Sequence, residues 1–133
     1  MSRRAKAVLL GALAGAATVV EANTVACHLT YGGQTQLVEA RPSASPYSEP
    51  PVAMGSYFLF RIVYRKEPAD LAGIKLYAYA DRDSGPVIIH QASHPLTAVN
   101  RADHGFTGLQ YVYEPVRDGE LQYWCELRTG AAT

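Results

Sequence analysis

Two stretches near opposite ends of the chain alternate between faces, and each carries one of its two cysteines. In Gly119-Glu120-Leu121-Gln122-Tyr123-Trp124-Cys125-Glu126-Leu127, one face holds Leu121, Tyr123, Cys125 and Leu127. The other holds Gln122, Trp124, Glu126 and Arg128, which is the two-residue period of a β-strand. Thr24 to Tyr31 has the same rhythm, with Val25, Cys27, Leu29 and Tyr31 on one side. A bond between Cys27 and Cys125 would tie the first strand to the last and close almost the whole domain. A chain so tied has few options other than a β-sheet fold with neighbouring ends.

The compartment follows from the N-terminus. Met1-Ser2-Arg3-Arg4-Ala5-Lys6 is basic, Ala7 to Val20 is uncharged and apolar, and Val20-Glu21-Ala22 ends in a small residue. These are the n-region, h-region and cleavage site of a secretory signal peptide. The apolar run, about 14 residues, is shorter than the roughly 18–20 a bilayer-spanning helix needs. The expectation is a signal peptide over residues 1–22 and one domain over 23–133, either periplasmic or extracellular. Ser2-Arg3-Arg4 partly fits a twin-arginine signal, but Lys6 and Ala7 stand where that signal has large apolar residues. Thr24-Val25-Ala26-Cys27 is a poor lipidation site, being cut off from the apolar run by Glu21 and Asn23. In an exported chain, two cysteines are expected to form one disulfide.

Taking 22 from 133 residues leaves 111, a length suited to one core. The signal takes three basic residues and one acidic, so nine basic and eleven acidic remain. Without a basic excess or a Lys/Arg run, the chain does not look like a binder of phosphate backbones, and nucleic acid is not an expected partner. No later apolar run is long enough to cross a membrane.

Alternating segments recur along the mature chain. After the first strand, Gly32-Gly33 turns into Gln34–Arg41, which reads as a hairpin. Pro42 to Pro51 holds four prolines and reads as a surface linker, because proline cannot donate to a ladder. Gly55 to Lys66 is the strongest strand, with Phe58, Phe60, Ile62 and Tyr64 inward and Arg61 on the wetter face. Apolar residues on both faces mark it as central. Ile74–Ala80 puts Ile74, Leu76 and Ala78 inward and Lys75, Tyr77 and Tyr79 outward. Asp81–Gly85 is a turn, and Pro86–Ala92 returns with Val87 and Ile89 inward. A polar loop leads to Phe106–Glu114, and Pro115–Gly119 turns into the last strand.

About seven strands with turn clusters between them and no convincing helix predict an all-β antiparallel sandwich. An immunoglobulin-like topology is the expectation within that class. Tyr123 stands two before Cys125, where antibody domains carry the corner tyrosine. The cysteine spacing, however, is far longer than in those domains.

Three constellations bear on function. The nine tyrosines all lie in the mature chain, and tyrosine combines a flat apolar body with a polar tip suited to protein or sugar partners. Tyr77 and Tyr79 project side by side, and Trp124 projects opposite Cys125. If their strands share a sheet, the three form one exposed aromatic patch of the kind monomers rarely leave uncovered. The leading expectation is therefore a non-enzymatic binding module for a protein or glycan, using Tyr77, Tyr79 and Trp124 and needing no cofactor. The second constellation is histidine. His90, His94 and His104, with His28 or Met54, could serve a periplasmic copper or zinc protein. Against this, positions four apart on a strand lie about 13 Å apart, too far for one ion. Catalytic signals are weaker still. Ser84, Asp81 and Asp83 lie in one turn, with no strand–elbow–helix context around the serine.

Overall fold

The alternating segments form eight strands in a computed structural model, which describes residues 24–45, 47–101 and 103–129. The expected signal peptide and the last four residues lie outside the described residues. The strands are β1 Thr24–Tyr31, β2 Gln34–Ala40, β3 Val52–Met54, β4 Phe58–Arg65, β5 Gly73–Arg82, β6 Gly85–His94, β7 Gln110–Glu114 and β8 Gly119–Arg128. One turn of 3₁₀ helix, Ala69–Leu71, connects β4 to β5.

The strands form two four-stranded sheets, in the orders β2-β1-β8-β7 and β3-β4-β5-β6. All strand pairs are antiparallel. The inner faces are those read from the alternation. Val25, Cys27, Leu29, Leu121, Tyr123 and Cys125 come from one sheet, and Phe58, Phe60, Ile62, Ile74, Leu76 and Ala78 from the other; all are buried in one cluster. The rings of Phe60 and Tyr123, 5.1 Å apart, join the two sheets across the core. No helix among the described residues is long and apolar enough to cross a membrane.

Cys27 and Cys125 are bonded. They face each other directly in the β1–β8 register, so the bond lies within one sheet. Here the molecule departs from the immunoglobulin arrangement, whose disulfide spans the two sheets. The second sheet is also a plain meander, β3 to β6, without strands borrowed from the other half of the chain.

Two local features differ from the reading of the sequence. β3 pairs Val52–Met54 with Phe58–Phe60 and adds a strand to the expected seven. In β6 the register shifts, so that Ala78 faces His90 while Tyr79 faces Ile88. A bulge of this kind reverses the alternation beyond it. Val87 still faces the buried Ala80 but stands on the edge strand and is 39 % exposed, while Ile89, at the bulge, packs on the core. His90, Ala92 and His94 oppose the buried Ala78, Leu76 and Ile74.

The expected strand over Phe106–Glu114 is ladder only from Gln110. Its earlier part crosses beside β8, where Gly105 bridges to Cys125 and the Phe106 N–H donates to the Cys125 carbonyl at 2.9 Å. A Cβ on Gly105 would lie 2.0 Å from that carbonyl oxygen, and the residue has φ +62°, so glycine is required twice over.

One end of the sandwich is fastened by Glu114, whose side chain is wholly buried. It accepts hydrogen bonds from the N–H groups of Val116 and Arg117 and from the guanidinium groups of Arg82 and Arg117. Arg117 also donates to the Tyr57 carbonyl and lies over the Tyr57 ring, 4.1 Å from its centroid. This ties the β7–β8 turn to the start of β4 and the end of β5. Burial alone would raise the Glu114 pKa. The donors from Arg117, Val116 and Arg82 outweigh it and hold the group at about 2.

Candidate functional site

Alternation on β5 sends Ile74, Leu76, Ala78 and Ala80 into the core, leaving Lys75, Tyr77 and Tyr79 on the outer face of the β3–β6 sheet. Tyr77 and Tyr79 lie side by side there, with ring centroids 6.4 Å apart and planes inclined by 30°. On the neighbouring strand, Arg61 faces Tyr77 in the register, and its guanidinium carbon lies 4.8 Å from the Tyr77 ring centroid. That geometry is a cation–π contact, which fixes both side chains.

Beside this pair the face sinks into a groove of about 220 Å³, lined among others by Tyr47, Arg61, Val63, Arg65, Lys75 and Tyr77. Val63 shapes its floor. It lies between the inward Ile62 and Tyr64 and so points outward, yet it is only 3 % exposed. Tyr47 stands at the rim, 90 % exposed. Three cationic side chains line this groove, and no carboxylate is among the described residues that do so.

Trp124 lies elsewhere. It belongs to β8, in the other sheet, and points away from the core on the side opposite Tyr77 and Tyr79. The three aromatics expected to form one patch are therefore divided between the two outer faces. Trp124 stacks on His28, its β1 partner, with ring centroids 3.9 Å apart and planes 9° from parallel. The His104 ring meets it edge-on at 5.7 Å. His28 Nε2 lies 3.0 Å from Glu126 Oε2. The Arg128 guanidinium, and after it His28, keeps the Glu126 carboxyl below its usual range. Tyr111 and Tyr113, both more than half exposed, stand on the same face along β7.

The histidines offered as a metal set do not meet. His90 shares a 2.6 Å hydrogen bond with the buried Tyr123 hydroxyl. His94 stands edge-on to Phe106, with centroids 5.1 Å apart. His104 is on the far side of the other sheet, against Trp124. Burial lowers the pKa of both His90 and His94, and burial raises that of Tyr123. Among the described residues no three His, Cys, Asp or Glu side chains are grouped so that they could hold a metal ion. In this arrangement His90 bonds to Tyr123, His94 packs on Phe106 and His104 packs on Trp124.

Sequence reasoning reached Tyr77, Tyr79 and the outward direction of Arg61 and Lys75. It missed the groove, Arg65 and Tyr47. The signal for Arg65 was present, since Arg61 and Arg65 are four apart on a strand and so share a face. The partners of Trp124 carried no local signal, because His28 and His104 are brought to it by pairing across the whole chain.

Fold and site together describe a disulfide-closed, eight-stranded β-sandwich with a tyrosine-bearing, cation-lined sheet face. No protein-family model, no curated protein and no solved structure matches this chain.

Proposed function

We propose that this chain is an exported, non-enzymatic binding module that recognises a protein or glycan partner through the outer face of the β3–β6 sheet. The observation that carries the reading is the side-by-side pair Tyr77 and Tyr79, backed by Arg61 on a strand of the sandwich rather than on a loop. Rings held by a rigid sheet lose little conformational freedom on binding, and tyrosine and arginine dominate the energetics of recognition surfaces. Export is supported by the signal-peptide pattern of residues 1–22 and by the disulfide, which forms in oxidising compartments. Trp124 is not part of this site.

The test is a comparison of the wild-type protein, the double variant Tyr77→Ala/Tyr79→Ala and Trp124→Ala. Each is immobilised and offered a panel of glycans and the exported proteins of the same cell. The double variant is expected to lose a partner that Trp124→Ala keeps, with circular dichroism unchanged in both. The same set of partners on the wild type and the double variant sinks the reading.

A further inference from the structure

We infer that the groove beside Tyr77 takes the carboxylate-bearing rings of an acidic polysaccharide, a polyuronate. The inference deepens the binding role proposed for the same face and rests on it.

Charge points to the ligand. The register sets Arg61 against Tyr77, Val63 against Lys75 and Arg65 against Gly73. Arg61 and Arg65 thus stand roughly 13 Å apart along β4, with Lys75 opposite the midpoint between them. Elsewhere three arginines are used internally: Arg82 and Arg117 hold Glu114, and Arg128 holds Glu126 and Glu39. Arg65 and Lys75 make no ion pair with a carboxylate among the described residues. Arg65 is positioned instead by donating to the Ala44 carbonyl at 3.3 Å. Arg65 and Lys75, two cations without a counter-charge among the described residues, match an anion from outside.

Size and surroundings narrow the anion. At about 220 Å³ the groove is smaller than the roughly 300–1,000 Å³ sites that enclose a drug-sized molecule. It accommodates one ring or one side chain at a time. The rim and one wall are tyrosine, Tyr47 and Tyr77, whose flat apolar bodies suit the C–H face of a sugar ring. The guanidinium fork of Arg65 matches a carboxylate in geometry as well as charge. A chain that places one ring in the groove can run on along the Tyr77–Tyr79 row.

A protein partner fits less well. The cores of protein–protein interfaces are depleted in charge, lysine included. Here Lys75 is exposed in the middle of the cationic row, across from Val63. A hydrated polymer with regularly spaced carboxylates meets such a surface without stripping the lysine of water.

The experiment is calorimetric titration of the purified, oxidised protein with polygalacturonate. Highly methyl-esterified polygalacturonate keeps the ring and removes the charge. Poly-L-glutamate keeps the charge and removes the ring. Polygalacturonate is expected to bind at least tenfold more tightly than either control, more weakly as salt is raised, and at least tenfold more weakly to Lys75→Glu. Because Lys75 is exposed, that variant is expected to fold, and Arg65→Gln supplies a second, milder test with the same direction of effect. Equal binding of poly-L-glutamate overturns the inference in favour of an acidic peptide. Equal binding of the ester overturns it by making charge irrelevant, and no binding of polygalacturonate overturns it outright. If polygalacturonate fails while the Tyr77→Ala/Tyr79→Ala variant still loses some other partner, this inference falls and the binding role of the face stands. If no partner depends on those tyrosines, both fall.

Discussion

Reduction of the Cys27–Cys125 bond should remove a large share of the stability of this domain while leaving its native structure in place. The two residues are wholly buried and directly opposed, with β1 and β8 paired on either side from Thr24↔Arg128 to Thr30↔Gln122. The ladder holds the strands in register with or without the sulfur bridge, so the effect comes through the unfolded chain. With 98 positions between the cysteines, loop-closure entropy gives about 4–5 kcal/mol. Against a typical domain stability of about 5–15 kcal/mol, that is a large share. Urea unfolding of oxidised and reduced protein, followed by the fluorescence of the single tryptophan on β8, measures the difference. The reduced form retains both sulfurs in the core, so packing loss does not confuse the comparison as it would in a Cys27→Ala/Cys125→Ala variant. The dependence on urea should also steepen on reduction, because the freed chain exposes more surface. A difference below about 1 kcal/mol would refute the reasoning. It would mean that the ends of the chain stay together in the unfolded state and that the bond closes no freely moving loop.

Other consequences follow from particular residues. Gly105→Ala is expected to destabilise by on the order of 3 kcal/mol or to prevent folding, since its Cβ meets the Cys125 carbonyl at a positive φ; thermal unfolding checks this. Tyr123→Phe removes the hydroxyl bonded to His90 and should cost about 1–3 kcal/mol by urea unfolding, because it leaves a half-buried histidine nitrogen without its partner. His90 and His94 have pKa values below the ordinary 6.5, so the unfolded chain binds more protons than the folded one just below neutrality. Their contribution to stability is present above pH 6.5 and is lost as pH falls through their lowered values, which unfolding at a series of pH values detects. Glu114, held at about 2 against an ordinary 4.5, contributes stability above pH 4.5 that is lost as pH falls toward 2. Glu114→Gln should therefore be less stable than wild type at neutral pH and show a shallower loss across that acid range.

How much of this could be read from the sequence depended on whether the signal was local. Alternation gave the inner faces of β1, β4, β5 and β8 because a strand has a fixed period of two and these runs meet it cleanly. Val52–Met54 gave no such signal, being three residues long between Pro51 and Gly55. Its strand character comes from the partner, since an edge beside Phe58–Phe60 pairs with whatever chain the turn brings back. The bulge in β6 was equally silent. Val87, Ile88 and Ile89 are all aliphatic, so the sequence does not mark where the alternation slips, and only the facing pairs Tyr79↔Ile88 and Ala78↔His90 do. That slip turned two histidines offered as metal ligands into groups facing the core.

The site was half legible for a related reason. Parity along a strand says which residues point outward, and it was right for Tyr77, Tyr79 and Trp124 alike. It does not say which sheet a strand joins, because that is settled by pairings between distant segments. What pairing separates it also assembles. Lys75 lies between Arg61 and Arg65 only because Val63 faces Lys75, and that register is held from the other side of the sheet. Sliding β5 by one residue would carry Lys75, Tyr77 and Tyr79 into the core and expel Ile74, Leu76 and Ala78, all now buried. The burial that stabilises the fold thus also fixes the spacing of charges on its outer surface. Substitutions in the core that loosen this register should disturb the groove even where no groove residue is changed.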